Sequence, residues 1–302
     1  MTWATNLTPS LLLGHEVTVF DVSPRTLGVD EESVCAAMEA RHLDVLFVTH
    51  LLGFDALSDR VLTTARETGT IIVEDCCEAH GAFHGARRVG SIGLAGTFSF
   101  YFGHHMSTIE GGMISTDDEE LADRLRLMRA HGLARESNRY AELVADIDFD
   151  PRFLFVQVGL NFRSSEPNAF LGLRQLTGLE ERIATRNANL TRFLADAPSS
   201  IWTDFRLDGA SSFALPLIAR DAGTHQRVRR IVNELGVESR PVVAGNLLRQ
   251  PAFASADLRI AKGGTPVADH IHEFGIYVGN GHHVTERMVD SLTARLQEGS
   301  SR

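Results

Sequence analysis

The sequence predicts an α/β protein: a large domain on a mostly parallel sheet, followed by a smaller C-terminal α+β domain. Three observations carry this. Apolar, β-branched runs alternate with amphipathic stretches through the first half, the rhythm of parallel βαβ units. Those strand-like runs end in polar residues, where open α/β sheets keep their chemistry. From about Ala197 the pattern changes, so residues 1–196 are assigned to the large domain and 197–302 to the small one.

"HEVTVFDV" (His15 to Val22) reads as a strand, and Asp30 to Arg41 as a helix behind a polar start. "DVLFVTHL" is the next strand, followed by a helix around Ala56 to Thr68. "GTIIVEDCC", "GTFSFYF" and "GMIST" are strands by their β-branched and aromatic residues. "DDEELADRLRLMRAHG" has the acidic first turn and basic end that a helix dipole favours, and Gly132 closes it. Leu133 to Arg152 reads as a long loop and Ser165 to Leu194 as one long helix. Beyond it, "SSFALPLIA" and "GVESRPVVAG" read as strands, with helices at Thr224 to Leu235 and Thr285 to Gln297.

Composition narrows the function. Acidic residues outnumber basic ones 39 to 29, for a net charge of −10, which argues against a nucleic-acid or anionic-membrane surface. No run of about 18 apolar residues is present, as a membrane span requires, and "SLLLG" is too short for a signal core. The three cysteines cannot build a disulfide framework or supply the ligands of a cysteine-bound iron–sulfur cluster. A cytoplasmic protein is expected. There is no phosphate-loop motif and no G-x-G-x-x-G after a strand.

Three places carry chemistry. Asp75 closes the apolar run "TIIVED", and a carboxylate there suits either a protonated cofactor ring nitrogen or a helix N-cap. In "TFSFYFGHHMSTIEGG", Ser99 offers a hydroxyl for a phosphate oxygen, and His104 offers a base active near neutral pH. His104 and His105 are adjacent and lack a spaced third ligand, so no metal is expected. Trp3 in "TWATN" suits a flat ring or an ordinary core.

Together "VEDCCEAHGA", "TFSFYFGHHMSTIEGGM", "GLNFRSSEPNAFLGLRQL" and "SRPVVAGN" resemble, in order, the DegT/StrS family of vitamin-B6-dependent nucleotide-sugar aminotransferases and dehydratases. The resemblance implies a fold-type I aminotransferase architecture and a homodimer with shared sites. It implies that Asp75 holds the pyridine nitrogen, Trp3 stacks on the ring and Ser99 binds the phosphate. Glu78 stands where many members place a glutamine near the phenolic oxygen. Asn161 matches an asparagine that reaches the phosphate in the neighbouring subunit, and Arg240 is the candidate substrate contact.

His104 stands where most of the family carries its cofactor-binding lysine, and imidazole cannot form that imine. The sequence resembles the histidine branch, sugar 3-dehydratases that bind pyridoxamine 5′-phosphate (the amine form of pyridoxal 5′-phosphate) non-covalently. The implied substrate is a nucleotide-linked 4-keto-6-deoxy sugar in deoxysugar biosynthesis, with His104 as base and glutamate as amino donor. A sister branch using an iron–sulfur cluster ranks second, because the cysteines are too few. Family members carry several tens of residues before the equivalent of Trp3, including a "GSSAN"-like turn that cradles the phosphate. The chain is therefore expected to be N-terminally truncated, through a misassigned start or as a catalytically impaired homologue serving as a non-catalytic partner subunit, and a nucleotide-sugar aminotransferase is the other alternative.

Overall fold

The computed structural model describes residues 1–148 and 150–298. The chain opens with α1 (Thr8–Leu12) and β1 (Val17–Val19), then α2 (Glu31–Glu39), β2 (Val45–Thr49), α3 (Asp59–Thr68) and β3 (Ile71–Asp75). A small hairpin, β4 (Phe83–His84) and β5 (Arg87–Arg88), precedes β6 (Ala95–Ser99), β7 (Gly112–Ser115) and α4 (Glu119–Arg129). After α5 (Tyr140–Leu143) come α6 (Glu166–Leu176) and α7 (Leu179–Asp196). The C-terminal part holds β8 (Ala214–Ile218), α8 (Ala222–Glu234), β9 (Ser239–Pro241), α9 (Pro251–Ala254), β10 (Leu258–Ile260), α10 (Pro266–Phe274), β11 (Gly275–Gly279) and α11 (Glu286–Gln297).

Side-chain caps set the helix starts, each occupying an N–H that has no partner within the helix. Asp30, Ser58, Asp118, Asp221 and Thr285 accept from the backbone N–H of the third residue on in α2, α3, α4, α8 and α11. The main sheet runs β2-β3-β6-β7. Its first three strands are parallel, as expected, and β7 returns antiparallel along β6. On one face, Leu46, Val48 and Ile72 are buried with Val34, Met38, Val61 and Ala65 of α2 and α3. The opposite face leaves Val45, Phe47 and Ile71 exposed and ends at Asp75. The second sheet is antiparallel, in the order β8-β11-β9. Its core also takes in Val22, Leu27, Leu51, Leu52 and Phe54 from the first quarter of the chain.

Several expectations are corrected. The His15–Val22 strand shrinks to β1 and leaves the main sheet to pair in parallel with β10. Asp21 holds it there, because its carboxylate accepts the N–H groups of Val267 and Ala268 at the start of α10 (2.8 and 2.9 Å). The single helix expected over Ser165 to Leu194 is two, broken at Thr177–Gly178. Gly178 there leaves helical geometry, at φ −107° and ψ 14°, and the Arg182 guanidinium folds over the space beside it. The strand expected at "GVESRPVVAG" stops at Pro241, where Val243 and Gly245 turn to positive φ. The His272 ring fills the space a side chain at 245 would need. β10, α10 and β11 appear in addition to the expected elements. The expected loop 133–152 carries only α5 and single helical turns, and Phe149 in it lies outside the described residues.

Candidate active site

The site gathers where β3 and β6 end side by side. Thr49, Asp75 and Thr97 stand in register across β2, β3 and β6, so their side chains share one face. Asp75 is buried, and its two oxygens accept from different donors. Oδ1 takes the Cys77 N–H (3.0 Å) and Oδ2 the Asn6 amide (2.6 Å). Each oxygen keeps a second lone-pair direction for a further donor.

Beyond Ser99 the chain turns back at Tyr101, whose carbonyl accepts the His104 N–H (3.1 Å). His104 packs its ring against His80, Tyr101 and Phe213 at centroid distances of 6.1, 6.2 and 5.6 Å. Its Nδ1 is buried, which leaves Nε2 as the nitrogen for a reacting group. Burial lowers the His104 pKa below the ordinary histidine value, opposed in part by the charge of Asp75. The ring is therefore neutral near pH 7, and a neutral imidazole is what a base requires. His105 points the other way: buried, it donates from Nε2 to the Ser211 carbonyl (3.1 Å). Burial first, then the Arg186 and His80 charges, hold it well below the ordinary value. His80 is lowered to about 4, chiefly by burial and then by His104.

Glu78 lies beside Asp75. Its Oε2 accepts the Leu52 N–H (2.8 Å), and burial, with a further push from Asp75, raises its pKa to about 7. Near neutrality it is partly protonated and able to donate to an anionic oxygen. Across from it stands Tyr277 of β11, whose phenol is raised by burial and by Glu78. Arg240 is opposite Tyr277 in the β9–β11 register and makes a two-pronged contact with Glu238 (3.0 and 2.9 Å). Tyr277 also meets Phe213 edge-on (6.0 Å), so Arg240, Tyr277, Phe213 and His104 form one continuous wall.

Ser99 accepts the Tyr101 N–H (3.3 Å), and its own hydrogen remains for an acceptor. Trp3 is more than half exposed and sits at the start of the turn that carries Asn6. Asn161 lies elsewhere, bridged to Ala130 on an exposed arm, its Oδ1 accepting from Arg163 (3.2 Å). Among the described residues no hydrogen bond or ring contact joins Asn161 to the Asp75–His104 group. The fold thus brings together Trp3, Asp75, Glu78, Ser99, His104 and Arg240 around one end of the sheet and leaves Asn161 apart.

Sequence reasoning missed Asn6, Tyr277 and Phe213. Asn6 was within sight as the last residue of "TWATN", but only its partner 69 positions away gives it meaning. The donor set fits pyridoxamine phosphate: an acidic acceptor for a ring N–H, a hydroxyl for phosphate and a neutral imidazole. The chain's one lysine, Lys262, is an exposed residue just after β10, remote in sequence from every strand end in the site. A separate buried trio, His50, Glu74 and Cys76, lies close enough to share a cation. The Glu74 oxygens already accept from Gly90, Ile92, Gly93 and His50, and His50 Nδ1 accepts the Ala56 N–H. That trio is a structural knot.

The profile of the DegT/DnrJ/EryC1/StrS aminotransferase family matches residues 1–297. The chain is 33% identical over 289 residues to the GDP-4-keto-6-deoxy-D-mannose 3-dehydratase of Yersinia pseudotuberculosis, covering 93% of this chain and 73% of the relative. The Escherichia coli GDP-4-keto-6-deoxy-D-mannose-3-dehydratase, solved with bound hydrated PLP, superposes with a TM-score of 0.91 at 29% identity, covering 98% of this chain and 78% of that one. A structure of such a dehydratase with a trapped PLP–glutamate geminal diamine superposes at 0.90 with 29% identity, over the same shares of the two chains. The α/β architecture is the fold-type I aminotransferase fold expected from the sequence. No helix among the described residues is long and apolar enough to cross a membrane.

Proposed function

This chain belongs to the DegT/DnrJ/EryC1/StrS aminotransferase family, and from that premise we propose that it is a pyridoxamine-phosphate-dependent 3-dehydratase of a nucleotide-linked 4-keto-6-deoxy sugar. One observation carries the reading: His104 occupies the strand-end turn beside Asp75, and the only lysine of the chain is the distant Lys262. A covalently anchored transaminase cofactor needs a primary amine at that place. A neutral imidazole supplies only a base.

When bound, pyridoxamine phosphate would supply the amine that condenses with the sugar ketone and a ring that accepts electron density. Asp75 would hold the ring nitrogen protonated, Ser99 would bind the phosphate, Trp3 would cover one face and Glu78 would donate to the phenolic oxygen. His104 Nε2 would take the proton from the carbon bearing the amine and pass it to the hydroxyl at sugar carbon 3, which would leave as water. Arg240, on the wall shared with Tyr277, would contact the sugar nucleotide. Hydrolysis would release the 3-deoxy sugar and ammonia, and glutamate would restore the amine form, leaving as 2-oxoglutarate. Incubation with GDP-4-keto-6-deoxymannose, pyridoxal phosphate and glutamate is expected to release a 3-deoxy sugar. Recovery of a 4-amino sugar with its carbon-3 hydroxyl intact would overturn the assignment.

We also propose a homodimer in which Asn161 reaches the partner's phosphate site. Asn161 lies on an arm where Phe155, Val158, Leu160 and Phe162 are all exposed, next to exposed Phe170 and Leu173 of α6. That much exposed apolar surface marks a contact surface. The protein is expected to sediment as a dimer at micromolar concentration, and V158E/F162E as a monomer. A monomeric native chain contradicts it.

A further inference from the structure

We propose that Asn6 is a positioning residue for Asp75, setting the carboxylate plane that receives the cofactor's ring N–H; this rests on the cofactor reading above. The Asn6 amide lies at the centre of a small polar cluster on the open face of the main sheet. Its Nδ2 donates to Asp75 Oδ2 (2.6 Å) and reaches Thr2 Oγ1 (2.6 Å) and Thr49 Oγ1 (3.2 Å). The two threonine hydroxyls are themselves joined at 2.7 Å. Thr49 neighbours Asp75 in the β2–β3 register, so the amide is anchored to the same rigid sheet that carries the carboxylate it serves.

A carboxylate rotates readily about its last bond, and the Cys77 N–H alone leaves Oδ2 free to swing. The Asn6 contact removes that freedom. With Oδ1 tied to Cys77 and Oδ2 to Asn6, the remaining lone pairs take fixed directions. A ring nitrogen then meets an acceptor already in place, without an ordering cost at binding. The turn Ala4–Asn6 also starts at Trp3, so one short segment sets both the stacking ring and the acid partner.

A donor on a carboxylate has two opposed effects. It fixes the orientation, which favours the ring-protonated cofactor, and it withdraws charge, which disfavours it. The proposal is that orientation dominates. The test is a pH titration, followed by absorbance, of the pyridoxal phosphate and pyridoxamine phosphate bound to the native protein, Asn6→Leu and Thr2→Ala. Thr2→Ala removes another contact of the same amide and leaves the bond to Asp75 in place.

In Asn6→Leu the bound ring should lose its proton about one pH unit lower than in the native protein, with cofactor affinity about tenfold weaker, the scale of one charge-assisted hydrogen bond. Thr2→Ala should match the native spectrum. A purely structural role would lower the melting temperature of both variants and move neither ring titration, which overturns the proposal. An upward shift in Asn6→Leu overturns it as well, by showing that charge withdrawal dominates. If the native protein binds neither form, the cofactor reading itself fails, a result distinct from native binding with an unchanged Asn6→Leu.

Discussion

His104→Lys is expected to capture pyridoxal phosphate covalently. The variant places a primary amine in the Tyr101–His104 turn beside Asp75, where the native chain has none, since Lys262 is its only lysine. Borohydride should then fix the cofactor to residue 104, and peptide mapping separates that position from Lys262 without ambiguity. Dehydration should fall strongly, because an amine tied into the link no longer serves as the base. His104→Asn should bind the cofactor nearly as the native protein does while losing about 10²–10⁴-fold in rate, the usual worth of a positioned base. Native-rate dehydration by His104→Asn, together with no trapping in His104→Lys, would leave His104 a turn residue and the mechanism without a base.

Glu74→Ala is expected to destabilise the fold by about 3–5 kcal/mol, the cost of breaking a buried charged network on one side. Glu74 is fully buried one residue before Asp75. Its Oε1 accepts the N–H groups of Ile92 and Gly93 (2.8 Å each), and its Oε2 accepts those of Gly90 (2.8 Å) and the His50 ring (3.2 Å). Because His50 Nδ1 accepts from Ala56 (3.1 Å), the ring proton sits on Nε2 and points at Glu74. Removing the carboxylate strands four donors, of which the Gly90 N–H and the His50 ring are buried. Glu74→Gln keeps one acceptor oxygen and should cost about 1–3 kcal/mol, so it gives a readable value if the alanine variant does not fold.

Burial by itself would raise the Glu74 pKa, yet hydrogen bonds from His50, Gly90 and Gly93 outweigh it and hold the group below its ordinary 4.5. A depressed folded-state value contributes stability above the unfolded pKa and loses it as pH falls through the folded one. The gap between native protein and Glu74→Gln should therefore be full at pH 7 and begin to close below pH 4.5. Equal denaturant midpoints for the two at pH 7 would show that Glu74 is not the knot described.

Much of this was legible in the sequence. Alternating apolar runs place β2, β3 and β6, with α2 before β2 and α3 between β2 and β3, and Asp30, Asp118 and Thr285 announce their helices, because caps and periodicity act within a few residues. Asp75 and His104 could be read as chemistry because each directly follows a strand-forming run, and four ordered motifs gave the family. Tertiary structure alone decided the rest. Asp21 draws β1 away from the main sheet by capping a helix some 246 positions further on. Asn6 acquires a role only when folding brings it to Asp75, and Tyr277 only when β11 carries it opposite Glu78. The acid–base states of Glu78 and His104 belong to the same class, since both follow from burial. Local propensity has no access to these features, for they depend on which distant groups exclude water from a given side chain and which remain to bond it.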